Sequence, residues 1–228
     1  MTTLVESGTG RAALWRLLSL GSAHPSAESF AEVEALAEAV LELEGSPAVG
    51  ELLAAIRAST PEELEAERQS LFGGSVAVAP YEGSYEVDPV RQGRQLADVA
   101  GFYRAFGAEA HGPAAERPDH VGCELEFLAF LELERMLLAE SDDESGADLV
   151  DEIAGSFVRD HAGRWLPAFF AGVREAAKAG SVFAALAALG ERAVAEEVER
   201  RGVEPSPLPR RHARLSVEQD AFDCGAAS

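Results

Sequence analysis

Three features of this sequence predict an all-α fold, a single domain of about nine to ten helices. Ala and Leu are abundant while Thr and Ile are scarce, a balance that favours helix over sheet. Apolar residues recur at spacings of three and four through most of the chain, the period of amphipathic helices. The length of 228 residues suits one domain and is ample for a core.

The elements follow in order. The first helix runs from about Thr9 to Leu20, with Leu14, Trp15, Leu17 and Leu18 as its apolar face and Gly21 to end it. The second starts at Ser26 or Ala27. Phe30, Val33, Leu36, Ala37, Val40 and Leu41 face inward, and Glu28, Glu32, Glu34 and Glu38 face out, until Gly45-Ser46-Pro47 breaks it. Residues 48–58 make a third helix around Leu52, Leu53 and Ile56. Thr60-Pro61-Glu62-Glu63 is a start signal: an N-cap, proline at the first position, then acids. That helix ends near Leu71-Phe72, before Gly73-Gly74.

Residues 73–90 form the longest non-helical segment. Val76 to Ala79 have strand character, but nothing else in the chain is placed to pair with them, so the segment reads as a long loop, a feature that is often functional. Further helices are expected over 90–106, 118–139, 146–160, 164–179 and 182–200. The stretch from Val121 to Leu138 is apolar on more than one side, which marks a central, buried helix. Pro205, Pro207 and Pro209 prevent helix after Gly202. Residues 1–204 therefore form the domain. Residues 205–228 form a tail outside the main core, its Arg210, Arg211 and Arg214 free to lie on the acidic body.

Charge narrows the functions. Lys and Arg total 19 against 40 Asp and Glu, a net charge of −21. Nucleic acid and anionic membrane surfaces both need a basic face, so neither is a partner. A basic partner such as an arginine-bearing peptide is compatible, and so is mere solubility. Cys123 and Cys224 are too few and too far apart for a disulfide framework, which fits a reducing compartment. Residues 1–20 lack a basic segment followed by an apolar run, and no apolar run is long enough to span a bilayer. A cytoplasmic location is expected.

Residues 81–131 concentrate the chemistry. A loop, Tyr81-Glu82-Gly83-Ser84-Tyr85, precedes a helix ending in Phe102-Tyr103-Arg104-Ala105-Phe106-Gly107. Pro118-Asp119-His120 then opens into Val121-Gly122-Cys123-Glu124-Leu125-Glu126-Phe127. Pro118 fits the first turn of a helix, and Asp119 then lies at the positive end of its dipole. Such a pair can accept a guanidinium through Asp119 and respond to pH through His120, or it can simply cap the helix. Glu124, four residues beyond His120, shares its face. A carboxylate buried there needs a partner, either internal or brought by a ligand. The two loop tyrosines suit peptide contact or loop anchoring equally.

Other chemistries are weaker. Ser84 has no nucleophile elbow around it and no base to activate it. His120, Cys123 and Glu124, with the distant His111, fall short of a full metal-ligand set. His161 and Trp165 share a helical face and read as core anchors, as do Phe169 and Phe170. Gly101, Gly107 and Gly112 are isolated, and no Lys-Ser or Lys-Thr follows Gly73-Gly74, so there is no phosphate loop.

The ordered set Tyr81, Ser84, Tyr85, then Tyr103, Phe106, Gly107, then Pro118, Asp119, His120, Glu124, Leu125, Phe127 resembles the TorD/DmsD family of redox-enzyme maturation chaperones. Leu71-Phe72-Gly73-Gly74 and His161 to Pro167 extend the resemblance over most of the chain. It implies a helical, non-enzymatic cytoplasmic chaperone without a cofactor of its own. Its partner would be the catalytic subunit of a molybdopterin oxidoreductase or that subunit's twin-arginine signal peptide. The protein would be a monomer or a helix-swapped dimer. The resemblance puts Asp119 and Glu124 on the acidic side of a binding groove with His120 beside them. Tyr81, Tyr85, Tyr103 and Phe127 become its walls, and Ser84 belongs to the same motif. Two departures stand out: the loop lacks the tryptophans of several relatives, and Gly122 and Cys123 replace larger residues. A metal- or redox-responsive protein using His120, Cys123 and Glu124 is one rival reading, and a small enzyme with Asp119 and His120 as an acid-base pair is another.

Overall fold

The computed structural model describes residues 7–22, 27–73, 77–108 and 116–209. Nine α-helices carry the described chain. They are α1 (Gly8–Ser22), α2 (Ala27–Glu44), α3 (Pro47–Arg57), α4 (Pro61–Phe72), α5 (Pro89–Ala105), α6 (Val121–Glu140), α7 (Glu144–Phe157), α8 (Gly163–Ala176) and α9 (Val182–Arg201). A 3-10 turn spans Glu82–Tyr85. Among the described residues the β-structure is one isolated antiparallel bridge, Tyr81 to His120. The all-α expectation holds. Val76 and its neighbours Gly74 and Ser75 lie outside the described residues, as do His111, Gly112, Cys224 and the tail arginines.

Local chemistry sets most helix starts. Thr60 and Glu63 form a reciprocal capping box at α4, with Pro61 behind the cap. Asp88 accepts from Val90 N ahead of α5, and Ser181 from Ala184 N ahead of α9. Gly202 ends α9 at φ 61°, the left-handed conformation that glycine adopts without strain. One start differs from expectation. Pro118 and Asp119 stand in a turn, and α6 begins at Val121 with His120 as its extended N-cap. The bridge to Tyr81 holds His120 out of the helical conformation. A second difference lies at Gly163, expected as a break. The chain instead runs from α7 into α8 through a π-helical turn, Val158–Ala162, a distortion frequent at functional sites.

Helix α6 is central, packed between α1 and α7, while α8 lies against α9. At the α8–α9 crossing a Cβ on Gly190 would come within 2.5 Å of the Phe170 ring, so glycine permits the approach. Trp165, Phe157, Phe169, Phe170, Leu17, Leu18, Leu125 and Leu131 are among the largest fully buried side chains. A buried ionic latch ties three helices. Glu132 of α6 meets Arg11 of α1, Arg135 of its own helix, and Arg200 and Arg201 of α9.

Residues just beyond 204 pack on the helical body. Leu208 belongs to the buried core, and its N–H donates to Arg164 O at 2.8 Å. Arg164 Nε donates to Ser206 O at 3.1 Å, and Pro205 packs over Gly163. Closely spaced prolines rule out helix, not packing. Truncation after Glu204 is expected to cost about 2 kcal/mol, the burial of one leucine. The thermal midpoint should then fall by about 4–8 °C. A midpoint unchanged by the truncation would show that this docking contributes nothing.

Candidate functional site

The loop after α4 returns across the mouth of α6. Glu82 N donates to Asp119 O at 2.9 Å, and Val121 N donates to Pro80 O at 2.9 Å. These bonds bring the tyrosine loop and the Pro-Asp-His turn together, as their shared motif implied. Asp119 is 1% exposed. Its Oδ2 accepts from Gly83 N at 3.1 Å and from Arg117 Nη2 at 2.8 Å, while Oδ1 has no partner among the described residues. The Arg117 guanidinium also lies over the Tyr81 ring, 4.9 Å from its centre. Tyr81 donates its phenol to Glu116 Oε2 at 3.2 Å. Its ring meets the His120 ring edge-on at 5.2 Å. His120 Nδ1 accepts from Gly122 N at 3.1 Å, so this nitrogen carries no proton here.

A second polar layer lies underneath. Glu82 is fully buried and accepts from Gln95 Nε2 of α5 at 2.5 Å. Its other oxygen faces His161 Nδ1 at 3.1 Å, on the π turn. His161 Nε2 faces Asp98 Oδ2 at 3.2 Å, and Asp98 is well exposed on α5. A chain of carboxylate, imidazole and carboxylate thus runs from the core to the surface. Glu124, also fully buried, accepts from Trp165 Nε1 at 2.9 Å through Oε2, and its Oε1 has no partner among the described residues. Burial, reinforced by the Glu82 and Asp119 carboxylates, holds the Glu124 carboxyl well above its ordinary range, with the Trp165 bond opposing. Above this layer Arg91, Arg94, Gln95 and Asp98 of α5, with Glu86 and Arg164, line an open cavity of about 540 Å³.

The remaining predicted groove residues divide by depth. Tyr81 and Ser84 are half-buried, Tyr81 beneath the Arg117 guanidinium. Tyr103 donates its phenol to Pro118 O at 2.8 Å and packs its ring, tilted, against Phe127 at 4.7 Å, which fixes the turn ahead of α6. Burial first, then Glu124, pushes its phenol well above the ordinary value. Tyr85, Phe127 and Glu124 do not reach the surface: Tyr85 packs on Trp165 and Phe127 on Phe157. Glu82, Gln95, Asp98 and Arg117 belong to the arrangement without having been singled out. His161, read as a core anchor, is buried but sits between two acids.

Of the residues of the metal-centred alternative, His120 caps α6 through Nδ1 and Glu124 accepts from Trp165 through Oε2. Burial, with nearby Glu126 and Glu116, pushes the Cys123 thiol up to about 12. Among the described residues no group of three His, Cys, Asp or Glu could hold a metal ion.

With this geometry in view, the comparisons with known proteins decide the family. The model of the nitrate reductase delta subunit family matches residues 30–171. The chain belongs to this family. The match encloses both polar layers. Among curated relatives, the selenate reductase assembly chaperone protein of Thauera selenatis is 38% identical over 115 residues, 49% of this chain and 58% of the relative. The chlorate reductase assembly chaperone protein of Ideonella dechloratans is 36% identical over 111 residues, 47% of this chain and 56% of the relative. The matched stretch thus spans somewhat more than half of either relative. A crystal structure from Archaeoglobus fulgidus, of a protein ascribed to redox enzyme maturation, superposes with a TM-score of 0.56 at 24% identity. It covers 84% of this chain and 98% of that one, and it supports the fold alone. The resemblance to redox-enzyme maturation chaperones, read from the motifs, is therefore borne out.

Proposed function

We propose that this chain is a cytoplasmic assembly chaperone for a molybdenum-containing oxidoreductase, binding the catalytic subunit or its twin-arginine leader before the enzyme is assembled. The observation that carries the reading is kinship: two relatives are named as assembly chaperones for reductases of selenate and chlorate. The site supports it. Asp119 and Glu116 offer carboxylates beside the Tyr81 ring, the acceptors and aromatic face that suit a guanidinium. Ser84, Tyr103 and His120 complete the rim. Tyr85, Phe127 and Glu124 act from behind it, holding the loop and the start of α6 in place. No covalent step is required of any of them. Folding of the cofactor-loaded client withdraws the bound segment and releases the chaperone by a population shift.

Affinity purification of the full chain from its native cytoplasm is expected to enrich one molybdenum oxidoreductase subunit. The same subunit should be lost when its N-terminal arginines are changed to glutamine. Recovery of general chaperones alone would overturn the reading. Retention of a subunit lacking those arginines would move the contact from the leader to the apoenzyme body.

A further inference from the structure

We propose that Arg117 is a resident stand-in for a client arginine, so that binding proceeds by exchange of one guanidinium for another on Asp119. The inference rests on the guanidinium-binding reading of this site given above. Arg117 makes the two contacts an incoming arginine would need: a charge-assisted bond to Asp119 Oδ2 at 2.8 Å and a stack on Tyr81 at 4.9 Å.

The two partners are held very differently. The Asp119 side chain is 2% exposed and fixed by the Gly83 N–H, whereas the Arg117 side chain is 54% exposed. The anion is built into the fold and the cation hangs at its rim. Departure of Arg117 therefore disturbs no core packing. The pair is also one-armed. Asp119 Oδ1 is buried and accepts nothing among the described residues, although a guanidinium fork can address both oxygens of a carboxylate.

The empty state explains why a stand-in is needed. Glu82 and Glu124 lie close enough to influence one another, and Glu124 also feels Asp119. A charged, buried Asp119 without a cation would be strongly unfavourable in such company. Arg117 supplies that cation when no client is present. Exchange then keeps the site paired at each end of the reaction, and the client's advantage comes from the rest of its segment.

Binding of a synthetic peptide, two consecutive arginines followed by an apolar stretch, can be measured by calorimetry at fixed salt. Arg117→Gln is expected to tighten binding at least about fivefold by removing the competitor, and Arg117→Lys by less, because an ammonium still competes without the fork. Arg174→Gln makes the same change in net charge at the exposed pair with Glu191 and should stay within about twofold of the parent. Asp119→Asn should weaken binding about tenfold or more, the loss of a charge-assisted bond. Unchanged or weaker binding by Arg117→Gln, with Asp119→Asn still impaired, overturns the exchange and leaves the site reading intact. Unchanged binding by Asp119→Asn overturns the site reading itself, and absence of binding by every variant overturns both. If Arg117→Gln does not fold, Arg117→Lys decides, and no tightening by it sinks the proposal.

Discussion

Glu132→Ala is expected to destabilise the fold by about 3–5 kcal/mol, the cost of removing one partner from a buried ion pair. Glu132 is almost fully buried and lies 2.6 Å from Arg200, 3.3 Å from Arg201, 3.4 Å from Arg135 and 3.4 Å from Arg11. Arg201 is itself 4% exposed and cannot turn to water, although Glu197 and Asp151 remain beside it. Arg11, Arg135 and Arg200 are more exposed and can relax outward, which places the loss toward the lower end of that range. Urea unfolding measures it as a shift of midpoint at constant slope. Glu191→Ala, at the exposed pair with Arg174, is the control and should change stability by less than about 1 kcal/mol. A similarly small cost for Glu132→Ala would reduce the latch to a surface network.

The same latch has a predictable acid limb. Burial works to raise the Glu197 carboxyl, but Arg200 and Arg201 outweigh it and hold the group below its ordinary value of 4.5. A depressed carboxyl contributes stability above the unfolded value and loses it as pH falls through the folded one. Acid unfolding should therefore begin below about pH 4.5 and start where α9 meets α6.

How much of this was legible depends on whether a feature is local. Thr60-Pro61-Glu62-Glu63 announced α4 because cap, proline and acids act within one turn. The apolar residues from Val121 to Leu131 announced a central helix because burial on several sides leaves no polar stripe, whereas Leu133 and Leu137, expected inside, stand exposed. The meeting of the tyrosine loop with Asp119 and His120 was implied by resemblance and not by spacing, since 36 residues separate Gly83 from Asp119. The bond between Glu82 and His161 spans 79 residues, and no periodicity encodes which buried acid meets which imidazole. Depth was equally hidden. An aromatic at helical spacing serves as groove wall or core with the same pattern, and the structure puts Tyr85 and Phe127 in the core. Arg117 sits two residues before Asp119, yet only the turn that ends at His120 reveals that the two side chains pair.

Glu124→Gln is expected to stabilise the protein increasingly as pH rises above about 4.5. The Glu124 carboxyl is held above its ordinary value of 4.5 by burial and by the Glu82 and Asp119 carboxylates, against the opposing Trp165 N–H. The sign follows from linkage. A group raised on folding contributes stability fully below its unfolded value and loses it as pH climbs through the folded value. Above pH 4.5 the native chain must either keep a proton that the unfolded chain releases or bury a charge beside two others. Glutamine keeps the shape and an oxygen for Trp165, and it never ionises. The variant and the parent should therefore match near pH 4.5 and diverge above it. Tyr103 and Cys123 are raised as well, but from ordinary values of 10.0 and 9.0, so their loss falls at higher pH and leaves this window clear. Trp165→Phe provides the opposite test. It removes the N–H that holds Oε2 and should cost about 1–3 kcal/mol, because a buried acceptor is left unsatisfied. Parallel pH profiles for parent and Glu124→Gln would show that Glu124 stays ionised in the core, and the inner acidic layer would then need a cation that the present assignment does not give it.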